Sequence, residues 1–150
     1  MPDKREQRLS RLYAALDRSM TALLATASGG SVTMRTVSPV RMNGDVLIFT
    51  GPDSKKYRQL RENPNCCLAV EGFFIEAAAE FFGPTVKEGN GALREAYSAK
   101  FPGAFDEGVE FGGVGCEFIL LRPFRVSGWE FSSGAPTPEG IPDLPFEMEL

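Results

Sequence analysis

Three short turn signals, each set between runs rich in strand-forming residues, constrain this chain more than any other feature. They are Ser28-Gly29-Gly30, Asn43-Gly44 and Glu71-Gly72. Two-residue turns of this kind join antiparallel neighbours, whereas parallel strands need long crossovers, usually helical. A regular strand–helix–strand alternation is missing. The chain therefore reads as mainly β and antiparallel, with helices at the periphery.

The most informative stretch is residues 31–61, SVTMRTVSPVRMNGDVLIFTGPDSKKYRQLR. Asn43-Gly44 predicts a hairpin with φ > 0 at both central residues and Met42 opposite Asp45. Counting outward places Val37 opposite Thr50 and Arg35 opposite Pro52, so that Arg35, Val37 and Thr50 share one face. Asp53-Ser54 then reads as the N-cap of a helix carrying Lys55, Lys56, Tyr57 and Leu60. Such a hairpin delivers Arg35 and Thr50 to the start of that helix. Free backbone N–H groups, the positive end of a helix dipole, the Ser54 hydroxyl, two lysines and an arginine able to chelate a phosphate outline an anion site. The plainer alternative is that Lys55 and Lys56 are solvated surface charges and Arg35 an exposed strand residue.

The succession MRTV, then LIFTGPDSKKYRQLRENPNCCLAV, then EAAAEFFG resembles the FMN-binding split barrels related to pyridoxamine 5'-phosphate oxidase, over roughly residues 9 to 131. The resemblance implies a six-stranded, or nearly six-stranded, antiparallel split β-barrel and a homodimer with two flavin sites between subunits. It also implies that the flavin phosphate is held by the R-x-V strand (Arg35, Thr36, Val37), the end of the next strand (Phe49, Thr50) and the helix start (Ser54, Lys55, Lys56). The family's Ser-Arg-Lys is Ser-Lys-Lys here, which keeps the charge but not the bidentate fork at position 55. Relatives contact the flavin ring with a polar residue near the start of the strand that follows Glu71; Gly72 or Phe73 stands there, so that contact is expected to be absent. True pyridoxamine phosphate oxidases end in an Arg-rich, His-containing substrate segment, whereas this chain ends DLPFEMEL. The general-stress and nitroimidazole-resistance branches are the better match.

Composition narrows the function classes. With 150 residues, 43% hydrophobic and 24% charged, the chain suits one soluble domain with one sizeable core. A net charge of −4 argues against nucleic acid as a partner. No apolar run approaches ~20 residues and the start MPDKREQRL is too charged for a signal peptide, so no membrane association and a cytoplasmic location are expected. Cys66, Cys67 and Cys116 form no CxxC pair, and core filling is the simplest role for one of the adjacent two. The absence of histidine removes histidine-ligated zinc and haem and Ser-His-Asp chemistry.

Along the chain, residues 3–20 carry an apolar stripe of Leu9, Leu12, Tyr13, Leu16 and Met20 at helical spacing. Residues 21–27 and 65–70 read as strands. In the strand 73–82, Phe73, Ile75, Ala77, Ala79 and Phe81 face the core while Glu76 and Glu80 face solvent or, less simply, a cleft. Residues 89–100 read as a helix with Leu93, Ala96 and Tyr97 inward, 105–115 as a loop, and 114–124 as the last clear strand, extended by 125–131 past a bulge, with Pro123 suggesting an edge or an irregularity. Trp129 is expected to cap the core, stack on flavin or anchor a dimer. Residues 1–131 form the split-barrel domain, and 132–150 a Pro-rich tail with no strand or helix period that lies extended on a surface through Ile141, Leu144 and Phe146. Three functions follow: an FMN-dependent oxidoreductase acting on a small-molecule substrate, a non-catalytic flavin or small-anion binder, or a dimerising domain without ligand.

Overall fold

A computed structural model describes residues 1–109, 112–130 and 144–150. Helix α1 (Lys4–Arg18) opens on a capping box in which the Asp3 carboxylate accepts from Glu6 N–H and Glu6 reaches back to Asp3 N–H. It buries Leu12, Ala15 and Leu16. Met20 lies beyond the helix and is exposed, so the stripe ends one turn earlier than its spacing suggested.

The strands are β1 (Ala22–Ser28), β2 (Ser31–Val37), β3 (Val40–Met42), β4 (Asp45–Thr50), β5 (Asn65–Val70), β6 (Phe73–Pro84), β7 (Glu117–Glu130) and β8 (Leu144–Glu149). Helix α2 (Lys55–Glu62) follows β4, and a 3-10 turn leads into α3 (Gly91–Lys100) before β7. All pairings are antiparallel in one sheet ordered β2-β1-β5-β6-β7-β4-β3, with β8 also on β7. The architecture is the expected mainly β one with helices at its margins. Among the described residues it has eight strands rather than six, for two reasons.

First, residues 31–42 are two strands. Pro39 has no N–H to give a ladder, and the chain changes partner at Ser38-Pro39. β2 pairs with β1 (Val37 opposite Ala22), while β3 pairs with β4 (Met42 opposite Asp45). The expected pairs Val37–Thr50 and Arg35–Pro52 do not form; Arg35 lies opposite Leu24. At the turn itself only Asn43 has positive φ, at 56°, which meets the requirement of a II′ rather than a I′ turn. Second, part of the Pro-rich stretch makes β8, whose Phe146 is buried and meets Phe73 edge-on at 6.1 Å between ring centres. Ile141 lies outside the described residues.

β7 runs on past Phe124 into the extension read for 125–131, and the bulge expected there is a register shift between Glu76–Arg125 and Ala77–Pro123. On its other side it pairs with β4 up to Leu121 and with β8 from Arg125. Pro123 therefore sits in the gap between two partners, the interior equivalent of an edge. Glu76 and Glu80 face outward as read, held by Arg125 and Arg122.

Two apolar layers result. Leu24, Ile48, Leu68, Ile75, Ile119, Leu121 and Val126 pack with Leu12 and Leu16 of α1 and Leu60 of α2. On the other face, Val40, Leu47, Phe118 and Leu120 pack beneath Tyr97 of α3. β4 and β7 are thus buried on both faces, which is why LIF and FILL are unbroken apolar runs. The outer face of β1, β2 and β6 has no such cover: Leu23, Val32, Met34 and Phe74 are 43–72% exposed. Among the described residues no helix is long and apolar enough to cross a membrane.

Candidate functional site

Ser54 caps α2 as its spacing predicts, its hydroxyl accepting from Tyr57 N–H at 3.2 Å. The same oxygen lies 2.9 Å from Thr50 Oγ1 at the end of β4, so the strand end and the helix start are joined through two hydroxyls. Thr50 is buried and Ser54 half-buried. The second turn of α2 carries buried Gln59 and Leu60, and this face docks the helix on the sheet.

Arg35 reaches the same region from β2 by a route other than the expected hairpin. The β1–β2 turn pairs Thr26 with Thr33 and Leu24 with Arg35. Arg35 and Thr33 share a face of β2, and the guanidinium donates to the Leu24 carbonyl at 3.1 Å, to Thr26 Oγ1 at 2.7 Å and to Thr33 Oγ1. Three of its five N–H donors are engaged in this way, leaving two for another acceptor.

Lys56 is half-buried on the first turn of α2. Burial first, and the Arg35 charge second, hold its ammonium pKa below the ordinary lysine range. Burial likewise lowers that of Arg35, which stays charged. Among the described residues neither cation forms an ion pair with a carboxylate. Two like charges taken partly out of water without counter-charge make a site that gains free energy when an anion arrives. Cys116, just before β7, also lies within the field of Lys56, yet burial outweighs that cation and pushes the thiol pKa up. It is therefore no activated nucleophile.

The remaining candidates divide. Lys55 is exposed and points into a groove of about 230 Å³ between α2 and the β1–β2 turn, lined by Ser28, Ser31, Arg58, Gln59 and Glu62. Its divergence from Lys56 follows from the ~100° between successive helical residues. Thr36 is exposed and Val37 buried in the core beside the site. The Phe49 side chain leaves the site for the layer under α3, against Tyr97 at 4.8 Å and Phe105 at 5.7 Å, so only its backbone adjoins Thr50.

Trp129 is not brought to this group within one chain. Thr50 pairs with Glu117 at the start of β7, and Trp129 lies near the opposite end. It is 51% exposed rather than capping the core, and with Phe74, Ser127, Pro145 and Glu147 it lines a surface hollow of about 420 Å³. Gly128 does permit a close approach: a Cβ there would stand 2.7 Å from the Gly72 carbonyl and 3.0 Å from the Phe146 ring. That space is taken from inside the chain.

Residue-by-residue reading missed Thr26, Thr33 and Gln59. The signal was present, since counting outward from Gly29-Gly30 instead of Asn43-Gly44 gives the pairs 26–33 and 24–35. What failed was the choice of turn, because Pro39 was not used to end the strand.

The sequence profile of the pyridoxamine 5'-phosphate oxidase family matches residues 10–113, which includes every residue of the group around Arg35 and Lys56. No curated protein matches the chain. Among solved structures the fold is similar to that of an FAD-binding protein from Mesorhizobium loti, with 18% identity, 79% of this chain and 91% of that one covered, and a TM-score of 0.63. General stress protein 26 from Bacillus anthracis follows with 14% identity, 78% and 89% coverage and a TM-score of 0.57. A nimC/nimA family protein from Clostridium acetobutylicum shows 16% identity, 95% and 94% coverage and a TM-score of 0.56. Its matched span and its antiparallel fold together show that the chain belongs to the pyridoxamine 5'-phosphate oxidase family.

Proposed function

We propose that the protein is a flavoprotein that binds FMN and acts as an oxidoreductase on a small molecule. The observation that carries this reading is the pair of desolvated cations, Arg35 and Lys56, beside the capped start of α2, with no carboxylate on either among the described residues. These donors suit a phosphate monoester dianion: two guanidinium N–H groups, an ammonium, the Thr50 and Ser54 hydroxyls and the first N–H groups of the helix. Lys55 supplies a longer-range positive charge from the groove side. A bound flavin would supply two-electron transfer; the chain's part is to hold the phosphate and orient the ring.

The reading includes a homodimer. Leu23, Val32, Met34, Phe74 and Trp129 form an uncovered apolar face on the sheet, and a second copy presenting the same face is the occupant that fits. Trp129, 51% exposed on that face, suits the role of a dimer anchor. The cytoplasmic location suits three unpaired cysteines. One observation favours the non-catalytic alternative: Glu76 and Glu80, the carboxylates with a claim to line a cleft, are both held in ion pairs.

The test is the visible spectrum of gently purified protein, then titration with FMN and with riboflavin. Flavin absorbance, or FMN uptake far tighter than riboflavin uptake, is expected. A colourless protein that takes up neither overturns the flavin assignment. Sedimentation of a monomer at micromolar concentration with flavin bound overturns the shared site.

A further inference from the structure

We propose that Gln59 is a positioning residue for the anion site, acting on Arg35 through the hydroxyls of Thr26 and Thr33. The inference rests on the reading of that site as the flavin-phosphate site and extends it to the groups that aim the arginine. Gln59 Oε1 lies 2.5 Å from Thr26 Oγ1 and 2.6 Å from Thr33 Oγ1. An amide oxygen only accepts, so each threonine gives it its single proton. Both hydroxyls are then left with lone pairs alone on the side that faces Arg35, and the two Nη atoms donate to them.

The direction of the chain is forced. A guanidinium cannot accept a hydrogen bond, so with the amide turned round the two threonine protons would have only each other's oxygens, 3.5 Å apart, and one of the two would be left without an acceptor among these groups. A contact from Gln59 Nε2 to the Ser31 carbonyl at 3.5 Å matches the orientation described. Thr26 is 1% and Gln59 5% exposed, so a broken link in the chain leaves an unsatisfied buried group that water does not readily repair. Helix α2 therefore builds the site twice: its start provides Ser54 and Lys56, and Gln59 in its second turn fixes the guanidinium plane before ligand arrives. Preorganisation of this kind is expressed as affinity for the group being held, and only for that group.

The experiment measures FMN, riboflavin and inorganic phosphate binding to the full chain carrying Gln59→Leu, Gln59→Glu, Thr33→Val or Arg35→Ala, and the double variant Gln59→Leu/Arg35→Ala. Loss of a buried hydrogen-bonded link predicts FMN and phosphate affinity about tenfold weaker in Gln59→Leu with riboflavin unchanged. Gln59→Glu keeps both acceptor contacts but sets a carboxylate two bonds down the chain from Arg35, and is expected to weaken FMN more than riboflavin as well. The double variant is expected to bind FMN no worse than Arg35→Ala alone, because Gln59 acts only through the arginine. Thr33→Val is nearly isosteric, suits a strand and carries the test if Gln59→Leu fails to fold; its expected loss is a few-fold, again for phosphate-bearing probes only. Equal losses for FMN and riboflavin, or additive losses in the double variant, overturn the proposal. The anion-site reading fails in a different way, by Arg35→Ala leaving FMN and phosphate binding intact.

Discussion

At the β7–β8 end of the sheet, Arg125 meets Glu76, Glu147 and Glu149, and Glu130 gathers Arg8, Arg11 and Lys4. At the β2–α2 end, Arg35 is held by a carbonyl and two hydroxyls, and Lys56 stands beside it with no acid among the described residues. Both ends place cations on a mainly apolar scaffold, but only one completes the pairing among the described residues. Paired charges at the first end tie α1 and β8 to β7. The unpaired ones at the second raise the free energy of the folded state slightly and lower that of a complex with an anion.

The largest expected effect is on ligand binding. Arg35→Ala removes a charge-assisted contact worth roughly 1.5–3 kcal/mol, a weakening of FMN binding by about tenfold to over a hundredfold. Riboflavin binding should not change, and titration of both ligands shows it. If both weaken equally, Arg35 belongs to the ring site or the scaffold, and the contrast between the two ends loses its functional meaning.

Lys56→Met should weaken FMN binding several-fold while raising the thermal midpoint, because a desolvated charge is removed. Lys55→Met should do neither to a comparable degree. The sign with pH follows from the lowered Lys56 pKa: between its folded value and the ordinary lysine range the unfolded chain binds more protons, so stability rises with pH there. FMN affinity should rise as pH passes about 6, where a phosphate monoester loses its second proton. It should fall again once pH passes the lowered value of Lys56 in the ligand-free protein, because the dianion must then bring a proton back to the ammonium. Lys56→Arg is expected to move that alkaline limb upward.

At the paired end the expectations reverse. Glu130→Gln should destabilise the fold by about 1 kcal/mol at neutral pH and leave FMN affinity untouched. The Arg8 hydrogen bond lowers the Glu130 pKa, so the stabilisation is present above the ordinary glutamate value and disappears as pH falls through the folded one. Melting curves of variant and wild type should therefore converge in acid. Smallest of all, Arg122→Ala removes exposed pairs with Glu80 and Asp45 and should leave both the melting midpoint and FMN binding unchanged.

Much of this was legible before any coordinates. The three turns, the antiparallel class, the α2 cap at Ser54 and the alternation of β6 are all local patterns, and local patterns are what period and turn chemistry report. Strand count and partner choice are not local. Asn43-Gly44 correctly paired Met42 with Asp45, but nothing in the alternation of 31–42 announced that pairing would pass from β1 to β4 at Ser38-Pro39. A stretch with four prolines looked aperiodic, although Leu144–Glu149 near its end found a ladder on β7.

Turn chemistry and capping act over a few residues, so the residues alone were enough for the fold class and for the start of α2 at Ser54, but they brought Arg35 to Thr50 through a hairpin that does not form. Tertiary structure alone decided how they meet. It set Arg35 against Thr26 and Thr33 through the β1–β2 register, buried Gln59 behind them, turned Phe49 away under α3, and left Lys56 near Arg35 without an acid. Each of those outcomes depends on which surfaces lose water together, a property of the packed whole that no short window of residues contains.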